Sequence, residues 1–158
     1  MRYSIARMIT FLARKSQGYI GSALSKYNLT AAEQPFFMAL QHNAGITQEG
    51  LTTLVGVDKA ATARAVKSLE EKGFLIRIQD EQDRRQNLIY ATDAAKQISE
   101  AVSNELLCFN DLLIQGISAE ELEIIHAGLM KMANNLSVLS DSQDSISKKG
   151  RHRDETNE

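Results

Sequence analysis

The chain has 158 residues, a single cysteine and a formal net charge of −2, with 43% hydrophobic and 24% charged residues. That profile describes one globular core without a disulfide framework or a cysteine-held zinc, and a pI near 5.9 argues against a protein that coats nucleic acid indiscriminately. No apolar run approaches the ~20 residues of a membrane span, and Arg2, Arg7, Arg14 and Lys15 interrupt the N-terminal apolar stretches, so no membrane contact and a cytoplasmic setting are expected.

The apolar spacing of Ile5, Met8, Ile9 and Leu12, resumed at Ile20, Ala23, Leu24 and Tyr27, predicts a helix over 3–27. Thr30 and Glu33 have capping-box spacing ahead of Phe36, Phe37 and Leu40 in a second helix, whose start Pro35 should kink or tighten. Asn43-Ala44-Gly45 ends it. Thr47 caps a third helix, 47–55, with Leu51 and Leu54 inward, and Gly56 stops it. Asp58 caps a fourth helix through Lys72, followed by Gly73. Two strands are expected near 74–79 and 87–91, separated by the polar stretch Asp80 to Asn87, which is too long for a two-residue turn.

Thr92 caps a long helix, 93–115, with Ile98, Val102, Leu106, Phe109 and Leu113 on one face, and Gly116 ends it. Ser118 and Glu121 form another capping box. Leu122, Ile125, Leu129, Met132, Leu136 and Leu139 then recur at gaps of three and four, the spacing of a coiled-coil seam. From Ser140 the chain turns rich in Ser, Asp and Lys and is expected to be a disordered tail.

Two short helices joined at Gly56, then a hairpin with a long polar loop, make a winged helix–turn–helix layout. The second helix of such a unit needs an apolar face for its own core and a slim, basic face for a major groove about 12 Å wide. Thr62, Ala65, Val66 and Leu69 supply the first, and Ala60, Ala63, Arg64 and Lys67 the second. Small alanines can touch a thymine methyl, Arg64 can fork onto a guanine edge, and Lys67 can meet a phosphate. In the loop, Arg84 and Arg85 suit a narrow minor groove, and Asp83 can orient them by a charge-assisted hydrogen bond. The charge is segregated to match. Residues 1–32 carry no acid, residues 59–85 are net +2, and residues 92–145 are net −7.

Residues 29–92 resemble the MarR family of winged-helix transcriptional regulators, and the helical order of 1–139 fits it. The resemblance lies in Leu29-Thr30, Gly45-Ile46-Thr47-Gln48, Gly56-Val57-Asp58-Lys59, Leu69-Glu70-Glu71-Lys72-Gly73-Phe74 and Asp83-Arg84-Arg85. It implies a homodimer on a pseudo-palindromic operator in double-stranded DNA. It adds Thr47, Gln48 and Lys59 to the DNA-contacting residues. It also implies a regulator, usually a repressor, that releases DNA when a small effector binds. The chain departs from the family at Ala60, Ala61 and Ala63, where many members carry Ser or Thr, and at Ala91-Thr92-Asp93-Ala94-Ala95, which lacks a glycine.

The fold class expected is mainly α with a small β-hairpin wing: a winged helix–turn–helix core with N- and C-terminal dimerisation helices. The domains are 1–29, an N-terminal dimerisation helix; 30–92, the DNA-binding domain; 93–139, C-terminal dimerisation helices; and 140–158, the tail. The dimer contacts are assigned to Ile5, Ile9, Leu12, Leu122, Ile125, Leu129, Met132 and Leu136; packing of the terminal helices within one chain is the alternative. No effector-binding residue is assigned, because Phe11, Tyr19, Phe36, Phe37 and Met38 are expected to be plain core. Cys108 is expected to be a buried, inert thiol. His42, His126 and His152 have no ligand spacing, so no metal is expected. No cofactor motif, nucleophile–base pair or phosphate loop is present, so no enzyme activity or cofactor is expected. The competing reading is a winged-helix module that binds protein without specific DNA binding.

Overall fold

The computed structural model describes residues 4–151, with side chains as far as Ser137. The order of elements is α1 (Ile5–Leu24), a 3-10 turn (Ser25–Tyr27), α2 (Gln34–His42), β1 (Ile46–Thr47), α3 (Gln48–Val55), α4 (Lys59–Glu71), β2 (Leu75–Gln79), β3 (Asn87–Ala91), α5 (Asp93–Ile114) and α6 (Ala119–Arg151). Two compact units divide between Leu113 and Ile114. The first holds the winged helix and the second holds α6.

The helix starts follow from their caps. Thr30 N–H donates to Glu33 Oε2 at 2.8 Å, and Glu33 N–H donates back to Thr30 Oγ1 at 3.3 Å, so the expected capping box forms. Pro35 sits in the first turn of α2, where its missing N–H has no intrahelical carbonyl to lose. Thr47 Oγ1 accepts from Gly50 N–H, Asp58 Oδ1 from Ala61 N–H, and Ser118 Oγ from Glu121 N–H. Thr92 both caps α5, accepting from Ala95 N–H, and donates to Gly73 O at 2.7 Å, which ties the end of β3 to the turn before β2.

Among the described residues, thirteen buried apolar side chains, from Leu24 to Val102, form the core. α4 contributes Ala65, Val66 and Leu69, α2 contributes Phe36, Phe37 and Leu40, α3 contributes Leu51, and the sheet contributes Leu75 and Ile89. Phe74 meets Phe37 edge-on at 5.6 Å, pinning the α4–β2 turn to α2. The sheet is antiparallel with order β1-β3-β2. β2 and β3 pair from Leu75↔Ala91 to Gln79↔Asn87. Ile46↔Ile89 and Thr47↔Leu88 add β1, a strand too short to carry an alternation that sequence could reveal.

Four expectations change. Leu54 is 54% exposed, because the eight-residue α3 turns only Leu51 fully inward. Phe11 and Tyr19 are not core: both are exposed on α1, although Tyr19 stacks on Phe109 of α5 at 5.1 Å. Cys108 is exposed rather than buried, since α5 buries only Ala95 and Val102. α6 runs to Arg151, so the stretch expected to be tail from Ser140 is helical that far. No proline interrupts it, and Gly128 is accommodated within it. The remainder of the expected tail, 152–158, lies outside the described residues.

The α3–α4 turn depends on Gly56, which has φ +72° and no atom within 4 Å of where a Cβ would stand. Only backbone conformation opposes a side chain there. Gly56→Ala should cost about 1 kcal/mol in urea unfolding, and Gly56→Asn clearly less, since Asn tolerates the left-handed region. Equal losses for both would show a steric cause instead.

Candidate nucleic-acid interface

α4 divides its surface as its sequence demands. Thr62, Ala65, Val66 and Leu69 are buried, and Lys59, Ala60, Ala63, Arg64 and Lys67 are exposed. The exposed row is slim and cationic. Two of its cations rest against acids: Lys59 lies 3.2 Å from Glu49, and Lys67 lies 3.8 Å from Glu71. Exposed pairs of this kind are worth under about 1 kcal/mol, so both ammonium groups remain exchangeable for phosphate. The Ala61 N–H holds the exposed Asp58 carboxyl below the usual aspartate range, outweighing slight desolvation, and the Ala60 N–H and the charge of Arg64 act in the same sense.

At the start of α3, Thr47 and Gln48 are half-buried, and the Thr47 hydroxyl is occupied by its cap. The α3–α4 contact is polar as well as apolar. The Thr52 hydroxyl lies 3.0 Å from that of the fully buried Thr62, which in turn donates to Asp58 O.

The wing tip is a compact loop. Asp80 N–H donates to Gln86 O at 3.0 Å and Gln86 N–H to Asp83 O at 2.9 Å. Gln79 Nε2 donates to Arg84 O at 2.6 Å. Asp83 is half-buried at the centre: it accepts from Arg85 N–H at 3.1 Å and Gln86 Nε2 at 3.1 Å, and faces Arg85 Nε at 3.5 Å. The Arg85 side chain is nevertheless 94% exposed, so its guanidinium is held at the root and free at the tip. Gln79 and Gln86, which shape this loop, were not singled out in the sequence because isolated glutamines carry no spacing signal.

The least legible residue is Glu33. Sequence marks it as a cap, yet it is 5% exposed and reaches α4 as well. Its Oε1 accepts from Ser68 Oγ at 2.5 Å, and Lys72 Nζ lies 2.8 and 2.7 Å from its two oxygens. Burial pushes the Glu33 carboxyl up, but the hydrogen bonds from Lys72, Ser68 and Thr30 outweigh it, so it titrates below the usual glutamate range. Beside it an open cavity of about 450 Å³ runs along α4, bordered by Gln17, Pro35, Phe36, Val55, Arg64 and Ser68.

The residues assigned to dimer contacts occupy exposed or half-exposed faces. Ile5, Ile9 and Leu12 are exposed on α1, together with Met8 and Phe11. On α6, Ile125, Leu129 and Leu136 are exposed, and Leu122 and Met132 half-buried.

A depressed carboxylate stabilises the fold above the ordinary glutamate range, and that contribution disappears as pH falls through it. The stability gap between the parent and Glu33→Gln should therefore be widest near neutral pH and close between about pH 5 and about pH 3. Urea unfolding across that range checks it; a gap independent of pH would remove the charge from the account.

Comparison with known proteins follows the same lines. The profile of a family described as the MarR family matches residues 36–86. The uncharacterized HTH-type transcriptional regulator YybA of Bacillus subtilis (strain 168) is 28% identical over 132 residues, spanning 84% of this chain and 88% of that protein. The crystal structure of the transcriptional regulator SlyA superposes with a TM-score of 0.81 at 30% identity, covering 85% of this chain and 94% of that one. A MarR-family regulator from Listeria monocytogenes, crystallised with a 26mer DNA, shares the fold with a TM-score of 0.78 at 24% identity, over 84% of this chain and 89% of that one.

Proposed function

The chain belongs to the MarR family of transcriptional regulators, and from that membership we propose that it is a sequence-specific repressor, without a catalytic step, that binds a pseudo-palindromic operator as a homodimer and releases it on binding a small effector. The observation that carries the reading is the divided surface of α4. One row is sealed in the core, and the opposite row offers Lys59, Ala60, Ala63, Arg64 and Lys67 to solvent. A helix about 10–12 Å across, slimmed by alanines, suits the major groove. The wing complements it, because an oriented but exposed Arg85 suits the negative potential of a narrow minor groove. Thr47 and Gln48 at the start of α3 suit phosphate contacts, and the relative crystallised with DNA supports the same use of the fold.

The homodimer is supported by apolar surface that a soluble monomer would leave wet: Ile5, Met8, Ile9 and Phe11 on α1, and Ile125 and Leu129 on α6. Two copies related by a two-fold axis would place their α4 helices about one DNA turn, ~34–36 Å, apart. An effector is supported by the cavity beside Arg64. No helix among the described residues is long and apolar enough to cross a membrane, which fits action in the cytoplasm where the DNA lies.

Fluorescence anisotropy against DNA upstream of the chain's own gene, at two salt concentrations, tests the reading. Binding should exceed that to random DNA. Arg85→Ala should weaken it by about 1–3 kcal/mol, whereas Lys67→Ala should weaken all sequences alike and flatten the salt dependence. Unaltered affinity in a folded Arg85→Ala dimer would reassign the wing to protein contacts. Sedimentation equilibrium should return twice the 17.5 kDa chain mass, and Ile9→Glu should shift it toward the monomer and weaken DNA binding with it.

A further inference from the structure

We propose that Glu33 is a positioning residue for DNA reading: by gripping Ser68 and Lys72 it fixes the rotation of α4 about its own axis and so aims Arg64. The inference rests on the reading of α4 given above and goes beyond it, since Glu33 lies in the buried cap of a different helix and touches no groove-facing residue.

The geometry is specific. One carboxylate divides its two oxygens between α2 and α4. Oε2 accepts the Thr30 N–H that starts α2, Oε1 accepts the Ser68 hydroxyl, and the Lys72 ammonium bridges both oxygens. Arg64, Ser68 and Lys72 follow one another at four-residue spacing, so they lie along one side of α4. Whatever fixes the azimuth of Ser68 and Lys72 fixes that of Arg64.

Most other contacts hold α4 down without fixing that angle. The buried row of Thr62, Ala65, Val66 and Leu69 is anchored by burial, which is non-directional, and two of its members are small. The side of α4 that carries Arg64 borders the open cavity of about 450 Å³ at Ala61, Arg64 and Ser68, so it is packed less fully than the buried row. The Thr52–Thr62 hydroxyl contact lies nearer the N-terminal end. Toward its C-terminal end two directional contacts hold α4: the more exposed Arg77–Glu70 pair to β2 at 3.1 Å, and the buried charge-assisted hydrogen bonds of Glu33 to two successive turns on the side that carries Arg64. Stability alone is a weak reason for placing this ion pair here, since apolar replacements of buried pairs are often neutral or stabilising. Aim is the stronger reason. Side chains ride about 5–6 Å from a helix axis, so a roll of about 10° displaces them by about 1 Å, enough to spoil a bidentate contact to a base edge.

The test uses the full chain, a duplex that it enriches from a random library, and a scrambled duplex of the same length. Glu33→Gln keeps an oxygen for the Thr30 N–H. It is expected to remain folded and dimeric and to bind the scrambled duplex like the parent, while its preference for the enriched duplex falls about tenfold. Repeating the selection with Glu33→Gln should relax the same base position that Arg64→Ala relaxes. A purely structural role would instead lower both affinities in step with the folded fraction, and that outcome overturns the proposal. Should Glu33→Gln fail to fold, Ser68→Ala leaves the cap and the ion pair intact and is expected to reduce the preference in the same sense. An unchanged preference in these variants beside a collapsed one in Arg64→Ala overturns the positioning role and leaves the reading of α4 standing. An unchanged preference in Arg64→Ala overturns both.

Discussion

α4 must serve two surfaces at once, and the rest of the first unit is arranged around that constraint. Its thirteen residues give little more than three turns, and four of them, Thr62, Ala65, Val66 and Leu69, are committed to the core. The core elements that receive this row, Phe37 of α2, Leu51 of α3, and Leu75 and Ile89 of the sheet, are among the most deeply buried side chains of the chain. Fully burying a side chain of this size contributes about 1.5–3 kcal/mol, so the row anchors α4 firmly. Firm anchoring on one side is what allows the opposite side to remain unsupported in water.

Anchoring and aiming are different tasks, and different forces perform them. Apolar burial depends on area and accepts small rotations. Hydrogen bonds to charged groups depend on direction and do not. The Glu33 carboxylate supplies direction at the C-terminal end of α4, and the Thr52–Thr62 hydroxyl pair supplies it near the start. The wing uses the same division. Leu75 and Ile89 bury the base of the hairpin, whereas Asp83, Gln79 and Gln86 shape its tip through polar contacts. In both places the cations proposed to meet DNA, Arg64 and Arg85, are exposed, and the nearby acid, Glu33 or Asp83, is at least partly buried.

The terminal helices follow another logic. α1 keeps a face of Ile5, Met8, Ile9, Phe11 and Leu12 exposed, although its end reaches the core through Leu24. α6 likewise exposes Ile124, Ile125, Leu129 and Leu136. Such stripes have helical periodicity and stay exposed among the described residues; in the proposed dimer a second copy would cover them. Cys108 and Leu107 on α5 are exposed as well.

Sequence by itself determined the helix caps, the αL glycine at 56, the two-sided character of α4 and the hairpin with its polar loop, because each is set by residues within a few positions of one another. Local hydrogen bonds and a period of 3.6 or 2 leave a direct trace in the order of side chains. Tertiary structure alone decided the third strand, the outward turn of Leu54, the exposure of Phe11, Tyr19 and Cys108, and the reach of Glu33 to Ser68 and Lys72, 35 and 39 residues away. An acid in a capping box has the same sequence signature whether its carboxylate faces water or a distant ammonium. Which of the two it meets depends on how α2 and α4 pack, and no local pattern records that.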